Sequence, residues 1–121
     1  VVSNYSCARV VRDTLARLGM SRHLAAIVVS DEVGWIKPHR ELFDLALAQL
    51  GVTPDECIMV GDRIDNDIAP ARMLGMRTVL FRTGRHAAQQ PRSADEVPYA
   101  EVRDVPELRV ALEAILGPGS P

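Results

Sequence analysis

The segment Gly61-Asp62-Arg63-Ile64-Asp65-Asn66-Asp67 sets three carboxylates within six residues, directly after the apolar run Cys57–Val60. Like charges this close repel one another, and a bound cation removes that cost. Hard oxygen ligands on a tight strand-to-helix turn suit Mg²⁺. That ion usually takes one or two protein carboxylates and fills its shell with water and substrate phosphate. Acids also decorate helix amino ends because of the helix dipole. Such decoration accounts for Asn66 or Asp67 as a cap, but not for Asp62 at the strand tip. Gly61 is expected to let the backbone turn sharply there.

Two further positions offer chemistry for an anion. Lys37 is the only lysine in a chain that otherwise carries 13 arginines. An ammonium is a compact point charge, whereas a guanidinium is a broad planar fork, so a site that needs a point charge explains the exception. Pro38 follows it and limits the direction of the loop. Ser3-Asn4 ends the first apolar run. The Ser3 hydroxyl and the backbone N–H of Asn4 can both donate to a phosphate oxygen. Capping of the following helix is the plainer alternative.

These residues need elements to position them, and the pattern is alternating strand and helix. Strands are expected at 1–3, 26–30, 57–61 and 77–81, with a short edge strand around Tyr99–Val102. Between them, a stripe of Val11, Leu15 and Leu18 predicts a helix stopping at Gly19. Leu42, Phe43, Ala46, Leu47 and Leu50 predict another, opened by Pro38 and closed by Gly51. Thr53-Pro54-Asp55-Glu56 has the form of a capping box. A short helix is expected from about Asp67 to Gly75, with Pro70 in its first turn. The stretch 82–98 is expected to be mostly loop. Asp104 should cap a last helix with Leu108, Ala111, Leu112 and Ile115 inward. Strands apolar on both faces and separated by helices predict a parallel sheet covered on both sides, with ligands at the carboxyl ends of the strands.

Composition narrows the function classes. With 121 residues, 47% hydrophobic and 25% charged, the chain is sized for one globular domain. A net charge of −2 gives no electrostatic reason to expect nucleic acid or an anionic membrane. No apolar run approaches the roughly 20 residues that span a bilayer, and the opening residues VVSNYSCARV are not expected to act as a secretory signal. Cys7 and Cys57 share no metal-ligand spacing, so free thiols in a reducing cytoplasm are expected.

Taken in order, a hydroxyl at a strand end, a lysine before a helix and an acidic turn after a strand resemble the haloacid dehalogenase (HAD) superfamily. VVSNYS resembles its second motif, IKPHRELFDLAL its third and IMVGDRIDNDIAPARMLGM its fourth; TVLFRTG is similar to the strand that follows. The resemblance implies a three-layer, Rossmann-like α/β core over residues 1–116, with a frayed tail at 117–121. It also implies that the polar groups meet on one rim of the sheet. There Ser3, the Asn4 backbone and Lys37 would bind phosphate, with Ser3 and Lys37 as the catalytic contributors. Asp62 would be a Mg²⁺ ligand and Asp67 the second acid, with Asp65 not excluded from that place.

The family's first motif, an Asp-x-Asp after an apolar strand, should precede Ser3, and no such pair does. Its first aspartate attacks phosphorus and its second is general acid and base. His39 and His86 have no feature that makes them the nucleophile, and Asp31 is a poor substitute. The strand carrying that motif is central in the family's sheet. Without it, two edges need a repair: direct pairing, a strand from another copy, or an amino-terminal segment of a longer protein, of which this chain would be a fragment. The expected function is Mg²⁺-dependent hydrolysis of a small phosphorylated metabolite in a longer parent, with this chain alone inactive. The alternatives are a non-catalytic phosphate- and Mg²⁺-binding module or subunit, and a 2-haloacid dehalogenase. The second of these needs no metal, so the acidic turn speaks against it. A receiver-like domain would place its lysine later in the chain.

Overall fold

The computed structural model describes residues 1–117; most of the 117–121 tail therefore lies outside the described residues. The chain divides into two compact units, Val1–Thr53 and Pro54–Pro121.

In the first unit, β1 (Val2–Ser3) and β2 (Val28–Val29) pair in parallel, Val2 opposite Val28 and Ser3 opposite Val29. Helices α1 (Ala8–Arg17), α2 (Ser30–Val33) and α3 (Arg40–Leu50) complete it. Strand β2 is shorter than the run 26–30 suggested, because Ser30 already begins α2. The core joins Val28, Leu42 and Ala46, with Val2, Val33 and Leu45 packed against them. Leu42, Phe43, Ala46 and Leu47 of α3 are buried as their spacing predicted, whereas Leu50 is exposed. Leu18 is exposed too, since α1 ends at Arg17, before the stripe reaches it. Gly51 closes α3 at φ +68°, a left-handed turn that side-chain-bearing residues rarely take.

In the second unit, β3 (Ile58–Gly61), β4 (Arg77–Phe81) and β5 (Ala100–Val102) form a parallel sheet in the order β3-β4-β5. Strand β3 is thus an edge strand although its residues are apolar, and Val60 is partly exposed. The capping-box sequence forms only a single 3₁₀ turn, Pro54–Glu56. Helical structure starts earlier than expected: one π-type turn, Ile64–Ile68, runs into α4 (Ala69–Leu74). Pro70 is accommodated at the amino end of α4. Asp104 accepts a 2.8 Å hydrogen bond from the Glu107 N–H and caps α5 (Val105–Leu116). Leu108, Ala111, Leu112 and Ile115 are its half-buried face. Parallel sheets crossed by helices give the α/β, Rossmann-like class that the pattern implied.

Candidate functional site

In the first unit, the carboxyl ends of β1 and β2 carry the candidate anion groups. Ser3 is the last residue of β1 and half-buried. Asn4 follows, and its side-chain amide takes both backbone groups of Lys37. The Lys37 N–H donates to Asn4 Oδ1 at 2.7 Å, and Asn4 Nδ2 donates to the Lys37 carbonyl at 3.1 Å. Two bonds from one planar amide fix the lysine loop against the end of β1. Two segments 33 residues apart are thereby held side by side. The sequence assigned Asn4 a backbone role; its side chain, in addition, orders the loop. A turn-forming Asn beside a Ser was the only signal for that, and it is a common one.

A second clamp holds the same rim. Ser30 Oγ accepts from the Tyr5 N–H at 3.0 Å and donates to the Tyr5 carbonyl at 3.1 Å. Asp31 Oδ2 accepts the first N–H of α1, at Ala8, at 3.0 Å. Asp31 is therefore committed to capping a helix. Between these groups lies an open cavity of about 410 Å³, lined by Asn4, Tyr5, Ser30, Asp31 and Ile36 among others. The Trp35 and His39 rings pack with centroids 5.2 Å apart beside Lys37 in sequence.

In the second unit, the acidic turn follows β3 and is anchored from beneath. Ile64 and Ile68 are almost completely buried and form a core cluster with Leu80. Burial of such side chains is worth about 1.5–3 kcal/mol each, enough to fix the turn to the sheet. The three carboxylates have different surroundings. Asp65 is engaged by side chains at both oxygens: Arg63 Nε and Nη2 donate to them at 3.0 and 2.5 Å, and Gln89 Nε2 donates at 3.1 Å. Arg63, with Gln89 adding to it, holds the Asp65 carboxyl well below the usual carboxylate range. Asp67 is buried, and its Oδ2 accepts from the Arg63 N–H at 3.2 Å. Asp62 is half-buried, and no donor among the described residues bonds its carboxylate.

Gly61 ends β3 without a positive φ. What it supplies is space: a Cβ there would overlap Cβ, Cγ and Oδ2 of Asp67. The Asp67 side chain lies directly over the end of β3.

Among the described residues no three His, Cys, Asp or Glu side chains gather as a metal-holding cluster. The donor set still fits Mg²⁺, which needs only one or two protein carboxylates. Asp62, without a donor among the described residues, and Asp67 beside it are oxygen ligands of the required kind. Asp65, neutralised by Arg63, is not. Burial pushes the Cys57 thiol up, away from the nucleophilic thiolate. No helix among the described residues is long and apolar enough to cross a membrane.

Comparison with known proteins shows what the chain is similar to. The HAD-hydrolase-like family profile matches residues 34–108. A glyceraldehyde 3-phosphate phosphatase of Methanopyrus kandleri is 41% identical over 96 residues, covering 79% of this chain and 41% of the relative. The crystal structure of a HAD phosphatase from Thermococcus onnurineus matches with TM-score 0.67 and 31% identity. It covers 84% of this chain and 44% of that one. A 2-haloacid dehalogenase from Pseudomonas syringae matches with TM-score 0.68 and 28% identity, over 81% of this chain and 41% of that one. The chain spans less than half the length of each of these relatives. On the profile match and these likenesses, the chain belongs to the HAD-like hydrolases.

Proposed function

We propose that this chain carries the phosphate- and Mg²⁺-binding part of a phosphomonoesterase acting on a small phosphorylated metabolite. The observation that carries the reading is the sorting of the acidic turn: Asp65 is neutralised by Arg63, and Asp62, beside Asp67, has no donor among the described residues. Asp62 and Asp67 hold Mg²⁺, which when bound would supply positive charge to phosphate oxygens. In the first unit, the Ser3 hydroxyl, the Asn4 N–H and the Lys37 ammonium donate to phosphate oxygens and stabilise their charge. The Asn4 clamp on the Lys37 backbone fixes where that ammonium starts from. The cavity bounded by Tyr5, Ser30 and Ile36 takes the rest of the substrate. The names of the curated relatives favour phosphatase chemistry.

Ser3, Asn4, Lys37, Asp62 and Asp67 bind phosphate and cation but include no attacking aspartate, so binding without turnover is expected of these residues by themselves. The test is Mg²⁺-dependent hydrolysis of an aryl phosphate by two proteins: this chain, and this chain preceded by the amino-terminal part of a relative such as the M. kandleri phosphatase. Activity only in the second is expected. Activity in neither, with Mg²⁺ and phosphate still bound, would favour a binding module. The likeness to a 2-haloacid dehalogenase supports a second reading, in which Ser3, Asn4 and Lys37 serve a halide-releasing reaction without metal. Release of chloride from 2-chloropropionate by the extended protein in chelator would establish it. The thiols of Cys7 and Cys57, both free, suit a reducing compartment such as the cytoplasm.

A further inference from the structure

The turn Ile64–Ile68 has a defect that its own sequence does not repair. The first N–H groups of any helical turn lack intrahelical partners, and the residue at its amino end, Arg63, provides no side-chain cap. The missing acceptor comes from 25 residues downstream: the Ile64 N–H donates to Gln89 Oε1 at 2.6 Å. The other end of the same amide, Nε2, donates to Asp65 Oδ1. One side chain thus caps the turn and helps to keep the Asp65 carboxylate on protein donors.

Gln89 lies in the stretch 82–98, which has no strand or α-helix of its own. Its position is set by Arg82, which directly follows β4 and is buried. The Arg82 guanidinium donates to the carbonyls of Ala87 and Gln89 at 2.9 and 2.6 Å. Its remaining donors meet both oxygens of Glu101 on β5, at 3.0 and 2.9 Å. A line of hydrogen bonds therefore runs from β5 through Arg82 and Gln89 to the acidic turn. Packing alone does not require it, because Ile64 and Ile68 already anchor the turn to the sheet.

We propose that Gln89 is a positioning residue for the cation site: it holds the Ile64–Ile68 turn and Asp65 so that Asp62 and Asp67 are the carboxylates presented to Mg²⁺. This rests on the Mg²⁺ reading of the turn given above. Groups that orient metal ligands commonly change affinity by about 10–100-fold when removed.

The experiment uses the ¹⁵N-labelled chain with MgCl₂ as the only probe, comparing the wild type with Gln89→Ala and with Gln89→Met, which keeps the length of the side chain. Mg²⁺ affinity is read from amide shifts of residues 61–68, and amide exchange is read in metal-free buffer. Both variants should bind Mg²⁺ about tenfold more weakly and exchange the Ile64 amide at least tenfold faster, while β4 amides keep their rates. Wild-type affinity in the two variants would overturn the proposal and leave the Mg²⁺ reading intact. Faster exchange across β4 as well would mean general destabilisation, and would overturn it too. No Mg²⁺ binding by the wild type would remove the reading itself and the proposal with it.

Discussion

Replacing Gly61 by Ala adds one methyl group at a position whose backbone is an ordinary strand conformation, so conformational strain contributes nothing. The cost comes from the Asp67 side chain, because the new Cβ overlaps its Cβ, Cγ and Oδ2. Rotation about χ1 could move Cγ and Oδ2 aside, but Cβ is fixed to the backbone, so the turn itself must shift. Forcing a methyl into a packed site costs about 1–3 kcal/mol. Displacing Asp67 also breaks its bond with the Arg63 N–H, and a hydrogen bond to a charged group is worth roughly 1.5–3 kcal/mol. The two are not independent, so a combined loss of about 3 kcal/mol is expected. For a chain of this size that lowers Tm by roughly 10 °C. Thermal unfolding followed by circular dichroism measures the loss, and Mg²⁺ titration of the folded variant should show weakened binding. A variant within about 2 °C of the wild type, with unaltered Mg²⁺ affinity, would refute the close approach of Asp67 to the end of β3.

Asp62→Asn should abolish Mg²⁺ binding by calorimetry or NMR titration, whereas Asp65→Asn should weaken it by no more than severalfold; equal effects would undo the sorting of the three acids. Lys37→Arg keeps the charge but replaces a point with a fork, so affinity for inorganic phosphate or vanadate should fall about tenfold; an unchanged affinity would remove the argument from the lone lysine. Glu101 is held below the ordinary carboxylate range by its hydrogen bonds to Arg82. Its folded pKa being depressed, the pair's stabilisation is complete above the unfolded value of about 4.3 and is lost as pH falls through the folded one. Melting curves of wild type and Glu101→Gln should therefore differ at pH 6–7 and draw together as pH falls below about 4.3; a constant gap down to pH 3 would contradict the assignment.

The parts of the fold legible in the sequence are those governed by local periodicity and by end signals. The α3 face, the Gly51 and Gly75 stops, the Asp104 cap and the β4 strand all follow from residues within a few positions of one another. Local rules failed where a neighbour in space decided the outcome. Ser30 reads as the end of a strand, but its hydroxyl is drawn to both backbone groups of Tyr5 while the chain turns into α2. Leu18 and Leu50 fit their stripes by spacing and are exposed, because each falls where its helix ends. Gly61 was read for its backbone freedom when its missing side chain was the point.

The candidate site divides in the same way. Which residue types stand at the strand ends is visible in one dimension, and so is their order, which is what ties the chain to its family. What a carboxylate does is set by which donors reach it. Three aspartates in one short turn look interchangeable until Arg63 and Gln89 claim Asp65, while no donor among the described residues reaches Asp62. Arg63 is adjacent and was a foreseeable partner. Gln89 is not, since it arrives through a loop whose course depends on a buried arginine gripping two of its carbonyls. A charge pattern thus shows that a turn is able to hold a cation, and the hydrogen bonds closing on it from elsewhere in the chain decide which of its acids remain for the task.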